Sequence, residues 1–447
     1  MKEFVMLGKD KIFLEKGTLD LREGGFENLD EIKGLTDLKT IKKLNLKYNY
    51  LENLPESICN LHSLEKLDVS CNELKSLPDS IGNLTSLKIL YIQNNKIQEL
   101  PDSIKALKNL KEILLFNNKL KQVPDFVKKL EKDFYTSETN RIKKAIKKYG
   151  ISSFSDQIMT RIKKKIKIRI KPTSEDEIKI GESKIGGRPD LPKGVKWPKF
   201  DGFPLLFLMQ INLSELKELQ SNQFTKDKGI LFFFYDDYST GWSLEEKKCV
   251  KVIYSGDLEK LVRTDFPKKK IKASNYFNNK LSFDSHKIIF SEAISLPPAN
   301  GWWYGGYYDN NYIYQEPDLL KDKNFNNFLD NKTDAHDFQI SLFGYPSYFG
   351  CDAHQLGCLL FSNKRDPFEF EHKADRGMTD EEIKELEALE KKAGEWTLLL
   401  QVCSDDDLNG YDVGWQWGDA GILYFWIREE DLKQNNFNNL RVFLEQH

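Results

Sequence analysis

The residues best suited to chemistry in this 447-residue chain fall in a few short stretches. Asp405-Asp406-Asp407-Leu408-Asn409-Gly410 carries DxDxNG, the first half of a calcium loop in which alternate side-chain oxygens face one cation. Asp405, Asp407, Asn409 and Asp412 are the ligands such a site would use, and Asp419 could complete an oxygen cage of another shape. The twelfth position is Gln416 rather than a bidentate Glu, so an ordinary acidic turn explains the same residues. Cys351, His354 and Cys358, with His336 or His372 as a fourth group, have the chemistry of zinc ligands. They form one loose cluster without paired CxxC or HxxxH units, and nothing marks an activated thiol. Gly301-Trp302-Trp303-Tyr304-Gly305-Gly306-Tyr307-Tyr308 joins flexible backbone to flat aromatic faces. That suits a carbohydrate or peptide platform, or a loop folded over a sheet. No Walker spacing is present, so nucleotide binding has no support.

Two glutamines stand in matching surroundings. Leu205-Leu206-Phe207-Leu208-Met209-Gln210-Ile211 is followed by Gly229-Ile230-Leu231-Phe232-Phe233-Phe234, and Thr397-Leu398-Leu399-Leu400-Gln401-Val402 by Gly421-Ile422-Leu423-Tyr424-Phe425-Trp426. Each unit reads as an apolar strand ending in Gln, a loop and a second aromatic strand, which points to an internal duplication about a pseudo-two-fold axis. Runs apolar on both faces imply central strands covered on both sides. Gln210 and Gln401 then lie at buried strand ends, where they either line a shared pocket or satisfy loop backbone.

The element that could present a surface lies earlier in the chain. Leu44-Asn45-Leu46, Leu67-Asp68-Val69, Leu90-Tyr91-Ile92 and Ile113-Leu114-Leu115 recur every 23 residues, each followed in register by Asn49, Asn72, Asn95 or Asn118. Leu54-Pro55, Leu77-Pro78, Leu100-Pro101 and Val123-Pro124 complete the unit, and Leu19-Asp20-Leu21 begins a degenerate first copy. These residues match the leucine-rich-repeat pattern LxxLxLxxNxLxxLPxxIxxLxx. Inward Leu, Ile and Val are expected to stack into one continuous core, the Asn to satisfy backbone that no strand pairs, and Pro to fix φ on the convex side. Alternate strand residues must face outward, and Ile89, Tyr91, Gln93, Leu114 and Phe116 are the candidate protein-binding residues of the concave face. Ile89, Tyr91, Leu114 and Phe116 are expected to form an exposed apolar patch. Either a partner protein or the chain's own linker covers it.

Between the repeats and the aromatic strands, residues 141–171 hold twelve Lys or Arg and one acid, Asp156. Ile142, Ala145, Ile146 and Tyr149 predict a helix ending at Gly150, whose stripe could close the open end of the repeats. A second short helix is expected from Ser155. Lys165 to Lys171 alternates as KIKIRIK, a strand with one buried and one basic face. No series of aromatic stacking residues interleaves these charges, which favours a solvated face over nucleic acid or lipid. A third helix is expected over 380–393, with Thr379 as N-cap, Glu382 at N3 and Gly394 at C′. Over the whole chain, 67 basic and 69 acidic residues nearly cancel, which removes a global argument for nucleic acid. No run approaches the roughly 20 apolar residues of a transmembrane segment. The early charges leave no room for a signal h-region, and six scattered cysteines suit reduced thiols, so the expected location is cytoplasmic.

From Ser183-Lys184-Ile185-Gly186-Gly187-Arg188-Pro189-Asp190-Leu191-Pro192, through Leu342-Phe343-Gly344-Tyr345-Pro346, to Trp417-Gly418-Asp419-Ala420-Gly421, the C-terminal sequence resembles the YwqG-like family, bacterial domains of unknown function. The resemblance implies a fold, hardly a reaction. Lys184, Gln210, Tyr345, Gln401, Trp417 and Asp419 are its candidate pocket residues. The company such domains keep implies an immunity-type role. The sequence therefore predicts a multidomain protein. Residues 1–135 form an α/β leucine-rich-repeat solenoid, 136–180 a basic helical linker and entry strand, and 181–447 an α+β, β-rich YwqG-like domain with internal duplication. The expected function is protein binding without catalysis or cofactor. The rival is an enzymatic or calcium-dependent cleft around Gln210, Gln401 and Asp419. Partner identity and oligomeric state are not encoded in any motif.

Overall fold

The computed structural model describes residues 3–116, 118–130, 134–160, 162–235, 250–267, 283–296, 324, 340–346, 358–360, 362–365, 373, 377–404 and 421–445. The chain divides into two compact units, Met1–Asn140 and Arg141–His447. The basic segment expected as a linker therefore falls largely within the second unit.

In the first unit, the 23-residue spacing becomes five short parallel strands: β1 (Thr18–Asp20), β2 (Lys43–Asn45), β3 (Lys66–Asp68), β4 (Ile89–Tyr91) and β5 (Glu112–Leu114), hydrogen-bonded in that order. Leu19, Leu44, Leu67, Leu90 and Ile113 pair strand to strand, and none is more than 1% exposed. They share one core with the leucines and isoleucines of the return turns, such as Ile58, Ile81 and Ile104. After each strand the chain must turn away from its neighbour, which leaves backbone groups without strand partners. The asparagines take these over: Asn72 Oδ1 accepts from Leu51 N at 3.0 Å, and its Nδ2 donates to Leu46 O at 2.9 Å and Val69 O at 3.0 Å. Asn49, Asn95 and Asn118 repeat the arrangement. The residue before Asn49, Asn72 and Asn95 adopts left-handed φ, at Tyr48 (60°), Cys71 (56°) and Asn94 (54°). Helix α1 (Asp125–Leu130) ends the stack, with Val127 in the core and Phe126 and Leu130 against it.

Helix α2 (Phe134–Lys148) does not close the repeats with its apolar stripe, as its sequence suggested. Ile142, Ala145 and Ile146 pack with Ile151, Ile158 of α3 (Ser155–Thr160) and Leu296, in a cluster of the second unit. An apolar stripe standing soon after the last repeat looked like a cap for the adjacent open end. The core it joins is completed by Leu296, far along the chain and invisible to local pattern.

The second unit is built on a ten-stranded antiparallel sheet. In chain order its strands are β6 (Lys163–Pro172), β7 (Lys184–Ile185), β8 (Leu206–Asn212), β9 (Ile230–Tyr235), β10 (Val250–Ser255), β11 (His286–Ser295), β12 (Ile340–Phe343), β13 (Trp396–Cys403), β14 (Ile422–Arg428) and β15 (Arg441–Glu445). In space they run β10-β9-β8-β7-β11-β6-β12-β13-β14-β15. Counted inward from the two edges, β10, β9, β8 and β7 face β15, β14, β13 and β12, and the long strands β11 and β6 pair at the centre. One face carries a continuous core, from Met209, Leu231 and Phe233 through Ile166 and Ile168 to Leu400, Val402 and Phe425. Phe233 and Phe425 meet edge to face at 5.5 Å, so strands seven positions apart in the sheet touch and the sheet is curled nearly into a barrel. On the opposite face, Phe207, Phe232 and Phe234 are covered by Leu191 and Leu261, from the strand pair Asp190–Pro192 and Leu261–Arg263, with Trp197 edge-on to Phe234 at 5.5 Å.

Helix α4 (Asp380–Ala393) has the expected capping box: Thr379 Oγ1 accepts from Glu382 N at 3.3 Å, and Glu382 Oε2 from Thr379 N at 3.0 Å. Gly394 is right-handed there, φ −57°, rather than the left-handed C′ residue expected; the chain passes directly into β13 and needs no reversal. Helix α5 (Glu429–Gln434) follows β14 and ends on left-handed Asn435.

Candidate functional site

The outward positions of the repeat strands form a connected polar ladder. Lys66 Nζ lies 3.9 Å from Asp68 Oδ2 and 4.4 Å from the centre of the Tyr91 ring, an ion pair and a cation–π contact from one ammonium. Tyr91 Oη donates to Glu112 Oε1 at 2.7 Å, and Ser70 Oγ donates to Asp68 Oδ1 at 2.6 Å. Ile89, Tyr91 and Phe116 are half-buried. Leu114, expected in the exposed patch, and Gln93, a candidate binding residue of the concave face, are buried at 2% and 5% exposure. Strand spacing of about 4.8 Å lets long side chains on adjacent coils lie over shorter ones, so an outward position is not always a wet one. Burial works to lower the pKa of the half-buried Lys47 ammonium, but Tyr48, Cys71, Glu138 of α2 and Asp68 outweigh it and hold the group above its ordinary value.

In the second unit, the candidate pocket residues Lys184 and Gln210 are neighbours in register but line no open space. Both are fully buried, and each is engaged. Gln210 Oε1 accepts from Asp190 N at 2.8 Å, while Nε2 donates to Asp190 Oδ2 at 2.7 Å and Glu182 O at 2.8 Å. Asp190, also fully buried, takes Arg263 Nε at 2.9 Å and Gly181 N at 2.9 Å. Lys184 Nζ stands 3.7 Å from Asp190 and 3.5 Å from Glu175, and donates to Arg188 O. Arg263 closes the ring by donating to Glu175 O at 2.7 Å and Ile178 O at 2.9 Å. Burial pushes the Asp190 carboxyl up, but Arg263, Lys184, Gly181 and Gln210 together hold it below the usual carboxylate range. Burial and Arg263 depress the Lys184 ammonium, against the pull of Asp190 and Glu175. The network ties the segment 175–190 onto β8 and β7. Gln210 satisfies loop backbone, the second of the two roles its sequence allowed.

Gln401, 1% exposed, lies opposite Ser341 on the same sheet face as Gln210. Four strands separate β8 from β13, about 24 Å along the sheet, so the two glutamines do not line one shared pocket. Tyr345 is half-buried beyond β12, its ring under Lys163 Nζ at 4.2 Å. The calls on Trp417, Asp419, Asp405, Asp407, Asn409 and Asp412, on Cys351 and His354, and on the 301–308 aromatic loop lie outside the described residues. Cys358 is described, buried in the main core. No group of three His, Cys, Asp or Glu suited to a metal occurs among the described residues.

The basic face assigned to KIKIRIK is a correction. Lys165, Lys167 and Arg169 are 6%, 1% and 7% exposed, as buried as the isoleucines between them. Strict alternation signals an amphipathic strand when one face meets water. Here β6 is a central strand, paired with β11 on one side and β12 on the other, and neither face is open. These cations are therefore not available to nucleic acid.

A surface groove of about 590 Å³ is lined by Pro198, Phe200, Leu205 and Ile253, with Lys196, Lys199, Asp201 and Lys251 as its charged groups.

Parallel repeat strands joined to a curled antiparallel sheet define a two-part protein, leucine-rich repeats followed by a β-rich domain. Residues 18–132 match the family model of a leucine-rich repeat region. Residues 183–445, more than half the chain, match the domain of unknown function DUF1963, and the chain belongs to that family. Similar solved structures include a leucine-rich-repeat protein of Leptospira interrogans (33% identity, 26% of this chain and 36% of that one, TM-score 0.24). The BIR2 ectodomain of Arabidopsis thaliana (28%, 25% and 57%, TM-score 0.21) and a Shigella effector leucine-rich-repeat domain (26%, 24% and 44%, TM-score 0.19) are others. This chain thus spans less than two thirds of each. No curated protein matches it. No helix among the described residues is long and apolar enough to cross a membrane.

Proposed function

We propose that this is a non-catalytic protein-binding molecule in which the sheet face of the repeats recognises a partner protein and the DUF1963 domain offers a second binding surface. The observation that carries this reading is the five-coil register, which sets Lys43, Lys66, Ile89, Glu112, Tyr91 and Phe116 in adjoining columns on one face. Half-buried aromatic and aliphatic groups beside charged ones are what a protein contact uses. Engagement of Gln210 and Lys184 in an internal network supports a structural rather than catalytic role for them. We read the second unit as YwqG-like and as an internal duplication. The mirrored strand order supports this, as do bulges two residues before each glutamine, at Phe207/Met209 and Leu398/Leu400. Left-handed pairs occupy matching sites too: Gly186 and Gly187 (both φ 62°), Phe343 (63°) and Gly344 (86°). A cytoplasmic, immunity-type role that sequesters a partner agrees with Cys59, Cys71, Cys358 and Cys403, which are buried and form no disulfide among the described residues.

One observation favours a second reading, in which the linker itself occupies part of the face: Glu138 acts on Lys47. Affinity capture with intact protein, repeated after Tyr91→Ala and Phe116→Ala, separates the cases. Loss of specific captured proteins supports partner binding. An unchanged set, with a lowered melting temperature of the first unit, supports self-coverage.

A further inference from the structure

Strand β10 is one edge of the ten-stranded sheet. It pairs with β9 along its whole length, from Val250 opposite Tyr235 to Ser255 opposite Ile230, and with no other strand among the described residues. In an antiparallel pair every second residue turns its N–H and C=O away from the neighbour, so the outer side of β10 presents a row of unused backbone donors and acceptors. Tyr254 packs with the core against Phe437, 6.0 Å between ring centres. Val250, Lys251 and Ile253 instead line the surface groove that Pro198 and Phe200 border from the segment before β8.

The groove joins apolar and basic chemistry. Ile253 and Phe200 rest on the cluster that contains Phe207 and Phe234, and together with Leu205 they form an apolar floor. Lys196, Lys199 and Lys251 are exposed. Lys196 and Lys199 make no ion pair among the described residues, and Lys251 Nζ has one long contact, 3.4 Å to Asn438 Oδ1. Among the lining residues Asp201 is the one carboxylate against these three ammonium groups. A lysine on an exposed edge strand guards against unwanted pairing, which accounts for Lys251. It does not account for Lys196 and Lys199, which lie off the strand; Lys199 belongs to the hairpin that pairs Lys199–Phe200 with Phe203–Pro204.

We propose that β10 accepts an extended acidic segment of a partner protein as an additional strand. Apolar side chains of the segment settle on Phe200 and Ile253, and its carboxylates lie against Lys196, Lys199 and Lys251. Main-chain hydrogen bonds supply affinity in such an addition, and alternate side chains supply specificity. The open strand edge favours a peptide over a nucleic acid, because its alternating donors and acceptors match another peptide backbone and not a row of phosphates. The inference rests on the reading of the second unit as a binding surface and does not depend on the repeats having a partner.

The test selects binders from a display library of random hexapeptides with the full chain as bait. Selected sequences should alternate Asp or Glu with apolar residues. The best of them, synthesised with blocked ends, is then measured by calorimetry. Methylating the backbone nitrogens along one edge of the peptide should weaken binding at least tenfold, and methylating those along the other edge should have a much smaller effect, since only one edge meets β10. Lys196→Glu combined with Lys199→Glu should weaken binding at least tenfold at an unchanged melting temperature, because both side chains are exposed. Lys384→Glu on α4 and Tyr91→Ala in the repeats should leave it unaltered. Equal effects of the two methylation patterns, selection of peptides without acids, or wild-type affinity in the double variant overturns the proposal. So does a dimer of the chain that the double variant dissociates, which gives the edge to a second copy, or a single-stranded oligonucleotide that outcompetes the peptide. Peptides that bind but ignore the double variant remove the groove and keep a second binding surface elsewhere; no binder at all counts against both.

Discussion

Asn72 joins two coils through one side chain, since its amide reaches Leu46 O and Leu51 N of the coil before and Val69 O of its own coil. Asn72→Ala leaves those buried groups without partners and should cost about 1–3 kcal/mol, read as a lower denaturation midpoint of the first unit. Asp190 provides the corresponding test in the second unit. Its depressed carboxyl contributes stability that is fully present above its unfolded value near about pH 4 and is lost as pH falls through the lower folded value. Asp190→Asn should therefore cost about 3–5 kcal/mol at pH 7, because Lys184 and Arg263 lose their counter-charge, and the gap to the parent should narrow in acid. A gap independent of pH contradicts the network. At this scale the asparagine ladder was legible in the sequence, since its register repeats every coil. The burial of Lys167 was not: KIKIRIK has the same letters at a wet edge and at the centre of a sheet, and only long-range pairing decides.

Elements were legible where their signals are local. The repeat strands, the helix at 380–393 with its Thr379–Glu382 box, and the four aromatic strands of the second unit stand where periodicity and caps put them. The partner of the α2 stripe was not legible, because it lies near the distant end of β11. The turn after β7 illustrates how an element is fixed by a single backbone state. Gly186 has φ +62°, and a Cβ there would stand 2.2 Å from Asp284 O, a backbone atom that cannot move alone. Gly186→Ala should lose at least about 2 kcal/mol from left-handed strain plus the clash, measured by urea unfolding of the second unit. Near-neutral behaviour contradicts the close approach of β7 and the chain leading into β11.

For the whole molecule, the two cores share no residue: Leu67 belongs to one and Phe233 to the other. Each unit should consequently melt as its own cooperative transition. Leu67→Ala should lower the first by about 2–5 kcal/mol and leave the second in place, and Phe233→Ala should do the reverse. The division into repeats and a β-rich domain was readable from composition and period alone. The curl that brings Phe233 onto Phe425 was not, since no local pattern encodes which distant strands meet.

The proposed role depends on the sheet face of the repeats being where a partner protein is held. Site-specific photo-crosslinking in the native cell tests this most directly, with the photoreactive residue at Lys43 or Ile89 on that face, or at Glu52 or Lys105 away from its columns. The account predicts discrete adducts with the same second protein from Lys43 and Ile89 and none from Glu52 or Lys105. Adducts of equal yield from all four positions, or from Glu52 and Lys105 alone, would contradict it.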